Sequence, residues 1–133
     1  MDYNKLKDIQ KNERKYGNLT KVPVNFYEEC ADYFWKLENN DFDMLGAKKY
    51  NNAFSCYTEI VERRLNKITE KAYFLVLKQN RLNRKPITID RNDDILPPNI
   101  LKTEEKLFYK ILNNYNDFYK DRYVEYSNIH IEF

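Results

Sequence analysis

The sequence predicts an all-α fold, a helical bundle of about four helices around one long central helix, with a short strand-like C-terminal tail. Three observations carry that prediction. Between Tyr50 and Asn80, apolar or aromatic residues recur at Tyr50, Phe54, Tyr57, Val61, Leu65, Ile68, Ala72 and Leu75. Their steps alternate three and four, which puts them on one face of a helix. Ile60, Phe74 and Val76 widen the stripe enough to meet several neighbours, and neither Gly nor Pro interrupts it. A second helical pattern runs from Thr103 to Arg122, and a third from Phe26 to Glu38.

In chain order, Asp2 to Tyr16 reads as a first helix with Leu6 and Ile9 inward, ended by Gly17 as a C′ residue. After a connector containing Pro23, Asn25 stands as an N-cap with Glu28 in capping-box position. In the second helix Phe26, Cys30, Tyr33, Phe34 and Leu37 form the apolar side, with Trp35 flanking it. Asp41 to Lys49 fits either a short helix or the first turns of the central one, with Gly46 a weak point. On the polar face of the central helix, Glu59 precedes Arg63 by four residues, the favourable order for an ion pair.

Arg81 to Ile100 holds Pro86, Pro97 and Pro98 and lacks periodicity, so it reads as a loosely held loop in which Ile87 to Ile89 could make a small extended contact. Thr103 is the expected N-cap of the last helix, with Glu104 and Glu105 at the positive end of its dipole. Leu107, Phe108, Ile111, Leu112, Tyr115, Phe118, Tyr119 and Arg122 recur along it. The alternation Ile129-His130-Ile131-Glu132-Phe133 then reads as a strand in need of a partner. The domain division is therefore residues 1–122 as the helical domain and 123–133 as the tail.

A chain of 133 residues is most simply one domain with a real core. Twelve Tyr and eight Phe lift the aromatic share to 16%; tyrosine suits surfaces with one apolar and one wet side, although an AT-rich coding sequence gives the same bias. Net charge is +2, which alone names no polyanionic partner. From Arg63 to Lys85, however, eight Lys or Arg stand against one acid, Glu70. Such a run is either a solvated face or a nucleic-acid contact through Arg63, Lys67, Lys71, Lys78, Arg81, Arg84 and Lys85.

Cys30 and Cys56 make neither a disulfide framework nor a metal spacing and read as small buried residues in a reducing compartment. Residues 1–10 have no apolar signal core, and no apolar run approaches the length of a membrane span. The expectation is an intracellular, cytoplasmic protein (nuclear if eukaryotic) with no membrane contact. Two glycines cannot build a phosphate-binding loop. The lone His130 has no ligand cluster, Asp93-Asp94 sit in a polar loop, and no nucleophile–base arrangement is visible. These features argue against an enzyme and imply no metal and no cofactor.

The stretch Tyr57 to Thr69, YTEIVERRLNKIT, resembles the Arg-rich central helix of GINS subunits of the replicative helicase machinery. Leu101 to Tyr109 looks like the start of that family's next helix, and Tyr115 to Tyr119 continues the likeness. Leu19-Thr20-Lys21-Val22-Pro23 with Phe26 to Glu29 resembles the connector of archaeal members. The three occur in family order over roughly Asp2 to Arg122, matching the helical A domain. The resemblance implies a non-catalytic scaffold subunit in DNA replication. Four such domains assemble into a tetramer that bridges the helicase ring and a RecJ-like partner. Members usually add a small β-rich domain, of which only the strand-like tail would remain here.

On residues alone, the chain offers more aromatic helix surface than one bundle can hide, at Tyr50, Phe54, Tyr57, Ile60, Tyr115, Phe118 and Tyr119. An oligomer is expected, a dimer of identical chains by default or a tetramer with related subunits. The alternative is a small basic helical nucleic-acid-binding protein with weak, non-specific affinity.

Overall fold

The computed structural model describes residues 1–40, 44–83 and 95–131, with 80–83 and 123–131 described as backbone alone. Four helices follow in order, α1 (Tyr3–Lys15), α2 (Phe26–Asn39), α3 (Met44–Asn83) and α4 (Lys102–Ile131), with no strand among the described residues. The fold is an all-α bundle with one long central helix. The chain divides into two compact units, Met1–Lys67 and Ile68–Phe133, and α3 contributes a segment to each.

In the first unit, α1 starts at Asp2, whose carboxylate accepts the Lys5 N–H at 2.9 Å and satisfies one of the free donors of the first turn. The helix ends at Tyr16 in extended conformation, its N–H donating to the Asn12 carbonyl. Gly17 thus stands at C′ as expected, without the positive φ that a glycine there often takes. The chain leaves α1 extended because it must bury Leu19 and Val22 in the connector. Asn25 does occupy the cap position of α2 but makes no side-chain cap bond. The turn is closed instead by backbone, with Phe26 N–H on the Pro23 carbonyl at 3.0 Å and Glu29 N–H on Asn25 at 2.9 Å. Phe26, Cys30 and Phe34 are buried along α2, Tyr33 and Leu37 half-buried, and Trp35 exposed.

Met44 onward belongs to the first turns of α3, with Gly46 inside the helix; residues 41–43 lie outside the described residues. The buried positions of its first segment are Ala53, Cys56, Ile60 and Arg64. Of the predicted inward face, Phe54 and Leu65 are exposed and Tyr50, Tyr57 and Val61 half-buried. In this segment the helix is turned by one residue, about 100°, from the orientation that its largest side chains suggest. Small residues at Ala53 and Cys56 suit close helix packing. The bulky rings line the edge, where Phe34 of α2 meets Tyr50, Phe54 and Tyr57 with centroids at 5.5, 5.6 and 5.4 Å.

The second unit is built on Ile68, Ala72 and Val76 of α3 and on Leu101, Phe108 and Leu112, all buried. Ile68 and Ala72 face inward as predicted. Ahead of α4, Pro98 precedes Asn99, whose φ of 66° is the left-handed conformation that turns of this residue order require and that Asn tolerates. The helix begins one residue before the predicted cap Thr103. Its first carbonyl acceptor is Leu101, which receives the Glu105 N–H at 3.0 Å. The Glu104 carboxylate reaches back to the Leu101 N–H at 2.9 Å, the returning half of a capping box.

Two expectations change at the ends of this unit. The backbone of α4 stays helical to Ile131, so Ile129 to Ile131 are helix rather than strand; an unpaired strand leaves its ladder groups open, whereas a helix satisfies its own. Glu132 and Phe133 lie outside the described residues. So do Arg84, Lys85 and the Ile87 to Ile89 stretch of the predicted loop, while Arg81 belongs to α3 by its backbone.

Candidate interaction surface

The first unit is held by a buried ion cluster. Glu13, on the inner side of α1, is 1% exposed, and Arg64, in the core line of α3, is 0% exposed. The Arg64 guanidinium donates to Glu13 Oε1 at 3.0 Å and to the Thr20 carbonyl at 2.9 Å. Thr20 donates to the same Glu13 oxygen through its N–H, at 2.9 Å, and through its hydroxyl. Lys67 donates to Glu13 Oε2 at 2.6 Å and to the carbonyls of Glu13 and Asn18 at 2.8 and 3.1 Å. Burial pushes the Glu13 carboxyl up, but the bonds from Lys67 and Thr20 and the charge of Arg64 outweigh it and leave it below its ordinary value. Among the described residues no buried side-chain nitrogen or oxygen lacks a hydrogen-bond partner. A buried charge cluster adds little net stability, because desolvation offsets the attraction. What it adds is register, since Glu13 is satisfied only with the connector and α3 both in place.

A second, more exposed cluster lies one turn earlier on α3. Glu59 accepts from Arg14 on α1, from Arg63 at 3.0 Å and from Gln10 at 3.3 Å. The Glu59–Arg63 pair expected from spacing is thus formed. The Arg14 bond, followed by that of Arg63, outweighs partial desolvation and holds the Glu59 carboxyl down at about 2.

Both glutamates are depressed from the ordinary 4.5, so the stability they confer is present above that pH and lost as pH falls through the folded-state value. We expect unfolding free energy to drop between pH 4.5 and about 2. The Glu59 share is only about 1 kcal/mol, because its arginines are half exposed and screened. Urea titrations at a pH series check this. A Glu59→Gln variant should show a shallower acid limb, and an unchanged limb would remove Glu59 from the account.

Above these anchors the first unit exposes aromatic and aliphatic side chains on α2 and the start of α3. Trp35 is 62%, Met44 92%, Leu45 64% and Phe54 47% exposed. Phe54 lies flat on Tyr50, with centroids at 6.0 Å and planes 6° apart, and takes the edge of Phe34. One ring face is thus packed while the side chain keeps much of its surface in water. Beside it, Tyr3, Tyr33, Leu37, Lys49 and Asn52 line a groove of about 280 Å³. Of the predicted interface residues, Tyr50, Phe54 and Tyr57 lie together at this edge. Ile60 does not, being 0% exposed in the core, with no surface to offer. In the second unit Tyr115 packs on Tyr73 at 5.2 Å, Tyr119 on Phe118 at 5.8 Å, and Arg122 sits 5.2 Å over the exposed Phe118 ring.

The predicted basic set separates as well. Lys67 is turned inward onto Glu13 and is not a surface cation, and Arg63 is paired with Glu59. Lys71 and Lys78 are exposed, and the side chains of Arg81, Arg84 and Lys85 lie outside the described residues. Cys30 and Cys56 are free and buried as expected; burial pushes the Cys30 thiol up to about 12 and raises Cys56 too. No group of His, Cys, Asp and Glu among the described residues could hold a metal ion. No described helix is long and apolar enough to cross a membrane.

Comparison with known proteins finds no matching family model, no matching curated protein and no matching solved structure. Sequence reasoning missed the Glu13–Arg64–Lys67 cluster, whose members stand 51 and 54 positions apart. It also missed the exposure of Met44 and Leu45, which sit where the helical pattern is ambiguous. A polar residue at four-residue spacing between Ile60 and Ile68 was the available signal for Arg64.

Proposed function

We propose that this chain is a non-catalytic assembly subunit that works by helix-on-helix contacts through the aromatic edge of α2 and α3. In its specific form the reading is a GINS-like scaffold subunit of a DNA replication complex. The partners would then be related subunits, with a replicative helicase and a RecJ-like protein beyond them. The observation that carries the general reading is the exposure of Trp35, Phe54, Met44 and Leu45 on one compact unit. Several large apolar side chains left exposed on one unit are a usual mark of a protein–protein contact. Support for the specific form comes from the resemblance of the segments Leu19–Glu29, Tyr57–Thr69 and Leu101–Tyr119. The nucleic-acid alternative is less favoured, since Arg63 and Lys67 are engaged by Glu59 and Glu13.

Light scattering over a micromolar concentration series, alone and mixed with a related subunit, tests the reading. The expected result is a mass about twice that of the monomer or larger, returned to monomer by Trp35→Ala with Phe54→Glu. A monomer at every concentration that no related subunit changes would remove the reading.

A further inference from the structure

The second unit carries a different surface, on residues separate from those proposed for assembly. Lys71, Phe74, Leu75 and Lys78 of α3 meet Ile95 and Pro97, the residues that lead into α4, around a shallow groove of about 240 Å³. That is below the roughly 300–1,000 Å³ of pockets for drug-sized molecules, and so suits one or two side chains rather than a whole small ligand. Its walls are apolar, and Phe74 remains 59% exposed. Pro97 is buried and fixes one wall.

The rim of this groove is cationic, with Lys71 and Lys78 among its lining residues. Earlier on the helix Arg63 pairs with Glu59, and Arg64 and Lys67 share Glu13. Lys71 and Lys78 have no ion-pair or hydrogen-bond partner among the described residues. They stand seven residues apart, which returns them to nearly the same side of the helix about 10 Å apart along its axis. An extended peptide places the side chains at i, i+2 and i+4 on one face, with about 13 Å between the outer two, a span that the flexible lysine side chains can meet.

We infer that this groove binds an acidic segment of a partner protein, with one aliphatic or aromatic side chain seated against Phe74, Leu75, Ile95 and Pro97. Carboxylates four residues apart on the segment, with the anchor midway between them on the same face, pair with Lys71 and Lys78. An acidic peptide satisfies both features at once: the anchor covers the exposed ring and the carboxylates complement two lysines that have no acid partner among the described residues. Nucleic acid fits less well, because two lysines give a short electrostatic track and the apolar floor is built for a side chain rather than a phosphate backbone.

The test is fluorescence anisotropy of the full chain with a labelled peptide carrying two glutamates four residues apart and a leucine midway between them. Parallel titrations use the same peptide with lysines replacing the glutamates, and single-stranded oligothymidine. Saturable binding of the acidic peptide is expected, weakening with salt, and absent for the lysine peptide. Lys71→Glu with Lys78→Glu should weaken it about tenfold or more, the loss expected for two partly exposed ion pairs turned repulsive. Phe74→Ala should weaken it as well. All three positions are on the surface, and circular dichroism checks that the variants stay folded. No binding of the acidic peptide, binding indifferent to the lysine reversals, or tighter binding of oligothymidine through the same lysines would overturn the inference. Because Trp35 and Phe54 take no part, loss of self-association in their variants leaves this result unaffected, and the two readings fail separately.

Discussion

Replacing Glu13 by alanine is expected to lower the unfolding free energy by about 3–5 kcal/mol, the range for removing one partner of a buried ion pair. The substitution leaves the Arg64 guanidinium, 0% exposed, facing an apolar methyl. It also takes the carboxylate from Lys67 and both Thr20 donors. Against the roughly 5–15 kcal/mol of a typical domain, that is a large share, and urea denaturation followed by circular dichroism measures it. The pair Glu13→Leu with Arg64→Met should lie closer to wild type than Glu13→Ala, since it leaves no buried guanidinium unpaired and Lys67 keeps the backbone carbonyls of residues 13 and 18. A cost below about 1 kcal/mol for Glu13→Ala would mean that water reaches Arg64, and the cluster would lose its role in fixing α1 and the connector on α3.

The second large effect sits at Ile68. Ile68→Ala should cost about 2–5 kcal/mol, because the side chain is fully buried and its removal leaves a cavity. Leu65→Ala, three positions earlier, should cost under about 1 kcal/mol, since Leu65 is 37% exposed. Both belong to the same apolar series in the sequence, so a periodicity argument treats them alike. Chemical denaturation of the two variants separates the cases. Equal losses at both positions would place Leu65 in the core and contradict the orientation of α3.

Local pattern was enough to establish the four helices. Asp2 caps α1, Phe26 opens α2, α3 has no breaker between Tyr50 and Asn80, and the acids Glu104 and Glu105 sit in the first turn of α4. Spacing alone also gave the Glu59–Arg63 pair, because both partners lie on one helix. These are short-range matters, in which a residue and its neighbours within one turn contain the physics. The same reasoning placed Tyr50, Phe54 and Tyr57 together on one edge, again because three- and four-residue steps on a helix are local geometry.

Which way α3 turns was decided elsewhere. Its apolar residues cover so wide an arc that two faces, one through Phe54 and Leu65 and one through Ala53 and Ile60, are nearly equivalent by pattern. The largest side chains favour the first; from Ala53 to Arg64 the protein adopts the second, while Ile68 and Ala72 are buried as the pattern predicts. The tipping residue is Arg64, which no periodicity would send inward, since a buried guanidinium is costly by itself. Glu13, Thr20 and Lys67 make that position acceptable, and only the folded chain brings Glu13 and Thr20 to it. Lys67 is drawn in by the same carboxylate, which removes it from the basic surface that its sequence context suggests. The tail follows the same logic: alternation at Ile129 to Ile131 permits a strand, but a strand needs a partner, and α4 continues instead because a helix pairs its own backbone.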